Sequence, residues 1–371
     1  MREATLTDRA QIEALFDGFQ LRSETARTWG PQWWEWLWER NPALGPDRID
    51  LPLGWVLEAN GAIVGFFGNI PMLYRFGQQT LLAGIASHWA VLQPFRTQTD
   101  ELATAYFGQP VVDLLMVTSG IQATGRIFDR HGALPMPLSD FRRVLYWVID
   151  PEGFVSAALL KKKIHPALSR FCGLALAPLL KNAARLTVHR PGSLRTGIQL
   201  ETIGLSAVTE EFDELWERKT AERPRLYAYR RTKDLRWHFE CVSRRNDLRV
   251  ICCRRGGRLE GFAVLSCEDT VKIDLVRAKI VDLFVASDSL DLVSALLAGA
   301  YEQAKARGCH LLEFVGFPAE FRALARSFRP LSRLYPSFPF YYKARSTELH
   351  TALGVQEAWH PTLYDGDSSL F

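Results

Sequence analysis

The residues of this chain that could carry chemistry are few and scattered. Ile85–Leu92 is an apolar, partly alternating run bounded by Pro94, the pattern of a strand. A short polar loop with one cation, Phe95–Thr99, follows; Asp100 then opens a helix with Leu102, Ala105 and Tyr106 inward, and Val111–Val117 is a second buried strand. Strand, tight loop, helix, strand cradles a phosphate when the loop carries glycines, because bare backbone N–H groups then point at the anion. The candidate proton acceptors are Asp282, Glu313 and the tail pair Asp365 and Asp367, with His88 the one histidine close to the loop. An acid of this kind, taken singly, is more often solvated or ion-paired, and a lone strand histidine is more often a core or rim residue. No Ser-His-Asp or Cys-His constellation is legible. Asp365-Gly366-Asp367 lacks the rest of a calcium-loop spacing. The six cysteines show no CxxC pairing, which argues against a metal site and for reduced thiols in a cytoplasm.

The positioning elements must come from a chain of 371 residues, long enough for two domains. The composition, 47% hydrophobic and 23% charged, is globular, and a net charge of +4 implies no nucleic-acid partner. Charge is uneven. Residues 153–200 hold eight Lys/Arg and no Asp or Glu, leaving the remainder net −4. That stretch predicts apolar helices broken at Pro166 and Pro178, either packed between domains or laid on an anionic membrane surface over 153–190. The N-terminus has no signal-peptide pattern, and the longest uncharged run, Phe76–Phe95, is too polar to span a membrane.

Along the chain, Thr7-Asp8 caps a helix, five of the eleven tryptophans fall in Trp29–Trp38, and Asn41-Pro42 ends that helix. Gly54–Glu58 and Ala62–Phe67 flank an Asn60-Gly61 hairpin turn. Ile70–Tyr74 and Gln79–Ala83 form a further pair, Ser119–Ala133 a helix and turn, and Phe141–Ile149 a strand closing the first unit. The second half repeats the order: strand 198–205, helices 208–222 and 232–242, hairpin 248–266, strand 279–285, helix 290–307, strand 309–315 and a last strand 339–344. The divisions expected are 1–150, a connector 151–197, 198–345 and a tail 346–371.

Val91-Leu92-Gln93-Pro94-Phe95-Arg96 resembles the Val-x-Pro-x-x-Arg segment of the GNAT superfamily of acyl-CoA N-acyltransferases. The Trp-rich helix before Asn41-Pro42, the hairpin with Gly65, and the Trp359 to Asp367 ending resemble the two-domain bacterial members of that superfamily. The resemblance implies an α/β fold of two tandem GNAT-like domains, each a mixed, mostly antiparallel sheet flanked by helices. It implies that the backbone of Trp89, Ala90 and Val91 holds the acyl donor. Arg96 and the N–H groups of Thr97, Gln98 and Thr99 would then hold the diphosphate of acetyl-CoA or another acyl-CoA. Two positions depart from the family pattern: Thr97–Glu101 stand where it has glycines, and Phe128 stands where it often has an acid-donating tyrosine. In the second unit Ala286–Ser289 takes the place of the glycine loop altogether. The function implied is acyl-CoA-dependent N-acylation of a small metabolite, sugar or envelope precursor in the cytoplasm. Loss of the glycines leaves two alternatives, a CoA-independent aminoacyl or peptidyl transferase of the cell-wall type, or a non-catalytic protein that kept the fold.

Overall fold

The computed structural model describes residues 1–19, 21, 29–45, 51–120, 124–138, 140–180, 197–245, 247–335 and 340–370. From the N-terminus come strand β1 (Arg2–Glu3) and helix α1 (Arg9–Phe19), whose Ile12, Leu15 and Phe16 face the core as their spacing requires. The tryptophan segment is one α-turn, α2 (Pro31–Trp34), that widens into a π-turn over Glu35–Glu39. Trp33, Trp34, Trp36 and Trp38 are all buried. The indoles of Trp36 and Trp237 each donate to the other's backbone carbonyl, at 2.9 and 2.8 Å, which pins the N-terminal segment to the second half of the chain.

Strands β2 (Gly54–Ala59) and β3 (Ala62–Phe76) turn at Asn60 and Gly61, both at positive φ as the Asn-Gly pair predicts. β3 and β4 (Gln79–Val91) are longer than their sequence patterns suggest: each merges two expected strands into one. Helix α3 (Thr99–Gly108), β5 (Leu114–Val117), α4 (Gly125–Arg130), β6 (Leu134–Pro135) and β7 (Arg143–Val148) follow. Within the region expected as a helix and turn over 119–133, residues 125–130 are α-helical and 131–132 a turn, and 121–123 lie outside the described residues. The connector forms α5 (Pro151–Lys161) and α6 (Pro166–Leu180). Pro166 opens α6, where its missing N–H costs nothing, but the expected break at Pro178 does not occur. The linker at 181–196 lies outside the described residues.

The remaining elements are β8 (Ile198–Ile203), α7 (Glu211–Glu222), β9 (Leu226–Ala228), α8 (Thr232–Arg245), β10 (Asp247–Arg255), β11 (Arg258–Thr270), β12 (Leu275–Val285), α9 (Leu290–Ala306), β13 (Leu311–Phe314), α10 (Ala319–Ser327), β14 (Leu331–Leu334), β15 (Tyr341–Ala344) and α11 (Thr347–Ala352).

Two sheets result, and they share one strand plan. The first runs β1-β2-β3-β4-β5-β15-β6, with β9 paired to the far end of β3; the second runs β8-β10-β11-β12-β13-β7-β14. In each, all neighbours are antiparallel except one pair, β4 with β5 and β12 with β13, the two pairs bridged by α3 and α9. The architecture is mixed α/β with two mostly antiparallel sheets flanked by helices. The correction to the sequence reading is the strand next to the end of each sheet. β7, expected to close the first unit, lies between β13 and β14 in the second sheet, and β15 lies between β5 and β6 in the first. A buried central strand such as β7, with Val144, Leu145, Trp147 and Val148 covered, is equally apolar in either sheet, so its pattern does not say which one it joins.

Candidate active site

β4 pairs with β5 only over Ala83–Ile85 against Leu114–Met116. Past Ile85 the two parallel strands part. The divergence coincides with a bulge in β4, where the register with β3 slips between Phe66 opposite Ala90 and Gly68 opposite Ser87. His88 sits in the bulge at φ +52°, a conformation that costs a non-glycine residue roughly 1–3 kcal/mol and is held only by its surroundings. Gly68 faces this kink because a Cβ there would lie 2.8 Å from the Ser87 carbonyl oxygen. The gap is a cleft of about 690 Å³, walled by Ala86–Val91 on one strand and by Val117, Ser119 and Gly120 on the other. Arg96, Thr99, Ile127 and Phe128 complete it.

The second sheet has the matching opening, and the chain fills it. β12 pairs with β13 over Arg277–Ile280 and is bulged next to Ile280. The tail enters there: Phe317 N–H donates to the Pro361 carbonyl at 2.8 Å, and the His360 ring nitrogen Nε2 lies 3.2 Å from the Leu283 carbonyl. Burial holds His360 neutral, its pKa far below the usual histidine value. The anchor is Arg230, fully buried, whose guanidinium donates to Asp282 at 2.9 and 3.1 Å, to Thr362 Oγ1 at 3.1 Å and to Asp365 at 3.4 Å, and stacks 4.6 Å from the Tyr364 ring. Two carboxylates against one guanidinium leave an excess negative charge away from water. The Asp365 carboxyl is accordingly pushed up to about 6, chiefly by burial.

Beyond this anchor the tail crosses to the open cleft. Asp367 accepts from Thr118 Oγ1 at 3.0 Å and from Ser119 Oγ at 2.9 Å, and it also hydrogen-bonds Ser87. Burial raises its pKa, and the three hydroxyls oppose that rise. Ser87 Oγ in turn lies 2.7 Å from His88 Nδ1. With Asp367 ionised, it only accepts; Ser87 then donates to it and receives the His88 Nδ1 proton, and Nε2 is the acceptor nitrogen of the neutral imidazole. The imidazole is stacked on Phe16 at 4.7 Å and meets Trp33 edge-on at 5.5 Å.

Of the residues expected from sequence, Trp89, Ala90, Val91, Arg96 and Thr99 line the cleft, whereas Thr97 and Gln98 are exposed outside it. Asp367 reaches its wall. Asp282 and Asp365 are spent on Arg230 instead, and Glu313, on β13, accepts from Arg333 at 2.7 Å; none of these three lines the cleft. Ser87, Thr118 and Ser119 carried no sequence signal, since hydroxyl residues at strand ends are commonplace.

No protein-family model and no curated protein matches the sequence. Among solved structures, a GCN5-related N-acetyltransferase from Anabaena variabilis ATCC 29413 superposes on 92% of this chain and 72% of its own, with a TM-score of 0.57 at 10% identity. A probable N-acyltransferase of unknown function from Enterococcus faecalis V583 matches equally, over 92% and 71% of the two chains, with a TM-score of 0.57 at 10% identity. The chain has the GNAT fold.

How far the cleft suits an acyl-CoA follows from the geometry around Arg96. Residues 93–98 are wound into a 3-10 helix, and the Thr99 N–H is taken by the Arg96 carbonyl. The first turn of α3 carries Asp100 and Glu101, so its N-terminus is already complemented by acid. Asp100 also accepts from Arg130 at 2.9 Å. The cleft between β4 and β5, at about 690 Å³ and lined by Phe67, Trp89 and Val117, has room for an extended chain. The diphosphate seat fits poorly, with the Arg96 side chain in place of a backbone cradle. Phe128 packs 5.8 Å from Trp89 and 5.3 Å from Tyr341, and it has no proton to give. A second groove, of about 700 Å³, runs past Arg40, Arg236 and Arg249. Its cations are engaged, Arg40 with Glu240 at 3.4 Å, Arg236 with the Val208 carbonyl at 2.7 Å and Arg249 with Asp247 at 2.8 Å.

Proposed function

We propose that this chain is an N-acyltransferase that binds an activated acyl group in the cleft between β4 and β5 and passes it to an amine. The observation that carries the reading is the asymmetry of the two openings. The tail plugs one, and in the other it builds a polar wall behind a strained histidine. Past Ile85 the edge of β4 that turns from β3 has no partner in β5, and apart from Ala86, whose backbone is bonded to Tyr106, an extended donor can lie along it.

In this mechanism His88 Nε2 takes a proton from the incoming ammonium. That first proton is released to solvent, and the freed amine attacks the acyl carbon. A C–N bond forms as the bond to the leaving group breaks; His88 takes the second proton from the attacking nitrogen and passes it to that group. Asp367, through Ser87, holds the imidazole in the tautomer this requires and stabilises its charged form. His88 is the proton acceptor; Ser87 and Asp367 are positioning residues.

The donor is acetyl-CoA or a longer acyl-CoA held mainly through its acyl-pantetheine arm. A second reading rests on Asp100 and Glu101: acid at the mouth of α3 favours a donor without a diphosphate, as in aminoacyl or peptidyl transfer. The acceptor is an amine of a small metabolite, sugar or envelope precursor. Product analysis by mass spectrometry tests this, with acyl-CoAs and acyl-pantetheines each offered with a panel of amines. Acylated amine from wild type, and less by roughly a hundredfold or more from His88→Ala, is the expected result. Equal product from both would remove His88 from the mechanism, and no product with any thioester would favour the second reading.

A further inference from the structure

Helix α6 is built inside out. Its covered face carries Ser169, at 0% exposure, and Gly173, whose missing side chain lets the helix close on α5: a Cβ there would lie 2.9 Å from the Glu152 carbonyl oxygen. Its outer face carries Leu168, Phe171 and Leu174, at 53%, 69% and 59% exposure. Residues 167, 168, 171, 174 and 175 share one side of a 3.6-residue period, so these side chains form a single apolar stripe opposite the packed one. A helix that buries serine and glycine while presenting phenylalanine to water has its apolar face turned to something else. Val271, at 81% exposure in the turn after β11, extends the apolar surface beside α5.

Charge says what that something is. Lys161, Lys162 and Lys163 close α5 and enter the loop, Arg170 flanks the stripe, and all four are exposed. From residue 153 to 200 there is no carboxylate; the nearest on these helices is Glu152, at the start of α5. Apolar side chains bordered by cations, on a helix of 15 residues, suit the interface of an anionic bilayer. Among the described residues no helix is long and apolar enough to cross a membrane, so such a helix lies along the surface. We propose that the α5–α6 hairpin docks this protein on anionic lipid, with Phe171 and Leu174 entering the headgroup boundary and Lys161–Lys163 contacting the headgroups. The proposal is independent of the acyl-transfer reading.

Flotation of the full chain with vesicles of phosphatidylcholine alone, or of phosphatidylcholine mixed with phosphatidylglycerol, tests it. The protein should float with the anionic vesicles only, and high salt should release it. Reversing Lys161, Lys162 and Lys163 to Glu should weaken partitioning on the order of a hundredfold. Phe171→Glu with Leu174→Glu should abolish it while leaving the circular-dichroism melt unchanged, since both side chains are exposed. No flotation with anionic vesicles, or equal flotation with both kinds, overturns the proposal. So does a dimer in sedimentation velocity that Phe171→Glu dissociates, which would assign the stripe to a second copy of the chain.

Discussion

Thr118 Oγ1 and Asp367 Oδ1 lie 3.0 Å apart although 249 positions separate them in the chain. That contact brings the last residues of the protein to the end of β5 and makes the C-terminus part of the cleft wall. An asparagine at 367 would offer one acceptor oxygen to three hydroxyl donors and would no longer fix the polarity of Ser87. His88→Ala should lower turnover roughly 10²–10⁴-fold and Asp367→Asn by a part of that, both with little change in donor affinity. Steady-state kinetics with kcat and KM separated checks it; a change confined to KM would place both residues in binding instead.

Removal of the tail should be far more damaging than an exposed terminus suggests. Trp359, Leu363, Tyr364 and Leu370 are each buried to 7% exposure or less. At about 1.5–3 kcal/mol for each large apolar side chain, their loss is comparable to the whole stability of a typical domain. A chain ending at Ala358 should fail to give a cooperative thermal transition. A normal melt from that chain would mean the plug in the second sheet is dispensable.

Asp365 gives the pH profile a component of known sign. Its pKa is raised from 3.8 unfolded to about 6 folded, so folding takes up a proton between those values. The stabilisation is fully present below about pH 4 and is lost as pH rises through about 6, a change of about 3 kcal/mol for a shift of this size. Buried His238 and His360 act oppositely: both are held neutral, so their contributions are present above pH 6.5 and lost as pH falls. Relative to Asp365→Asn, the wild type should therefore lose stability from pH 4 to 6 in denaturant titrations. A constant difference across that range would mean that Asp365 is ionised throughout.

The sequence made the local elements legible and their long-range company much less so. The Asn60-Gly61 turn, the α9 spacing and the repeated strand–helix–strand order all follow from short-range patterns, and each is present. Burial of the tail was legible from Trp359 and Leu363, apolar residues a solvated end would not need. Its destination was not, because no pattern pairs Asp365 with Arg230 or Asp367 with Thr118. The short strand β9, three residues long, was too brief for any periodicity to reveal. The exchange of β7 and β15 was hidden for the same reason: sheet partners are chosen by packing after the strands exist.

That exchange predicts how the chain divides. Residues 1–197 carry β7 without β13 or β14 to receive it, and 198–371 carry β15 without β5. Each half expressed alone should be insoluble or molten, and co-expression should restore a folded complex. A cooperative melt from either isolated half would show that the exchanged strand is an accessory.

The loop at Arg96 allows opposing substitutions. Arg96→Glu should weaken an acyl-CoA by on the order of 2 kcal/mol through one lost charge-assisted bond and one added repulsion. Glu101→Gln should strengthen it by about 0.3–1 kcal/mol by clearing the start of α3 for an anion. Calorimetry on both variants checks the pair. Neither should alter affinity for an acyl-pantetheine; a matching effect on that shorter donor would mean that Arg96 contacts the arm and not the diphosphate.

Whether the β4–β5 cleft holds an activated acyl group is read from ligand-dependent melting. The whole chain, titrated with acetyl-CoA, longer acyl-CoAs and acyl-pantetheines, should melt at a higher temperature as donor concentration passes its Kd. Ala90→Phe, which enlarges a residue that lines the cleft, should show no such rise. No shift with any thioester, or the same shift in Ala90→Phe, would contradict the assignment of this cleft.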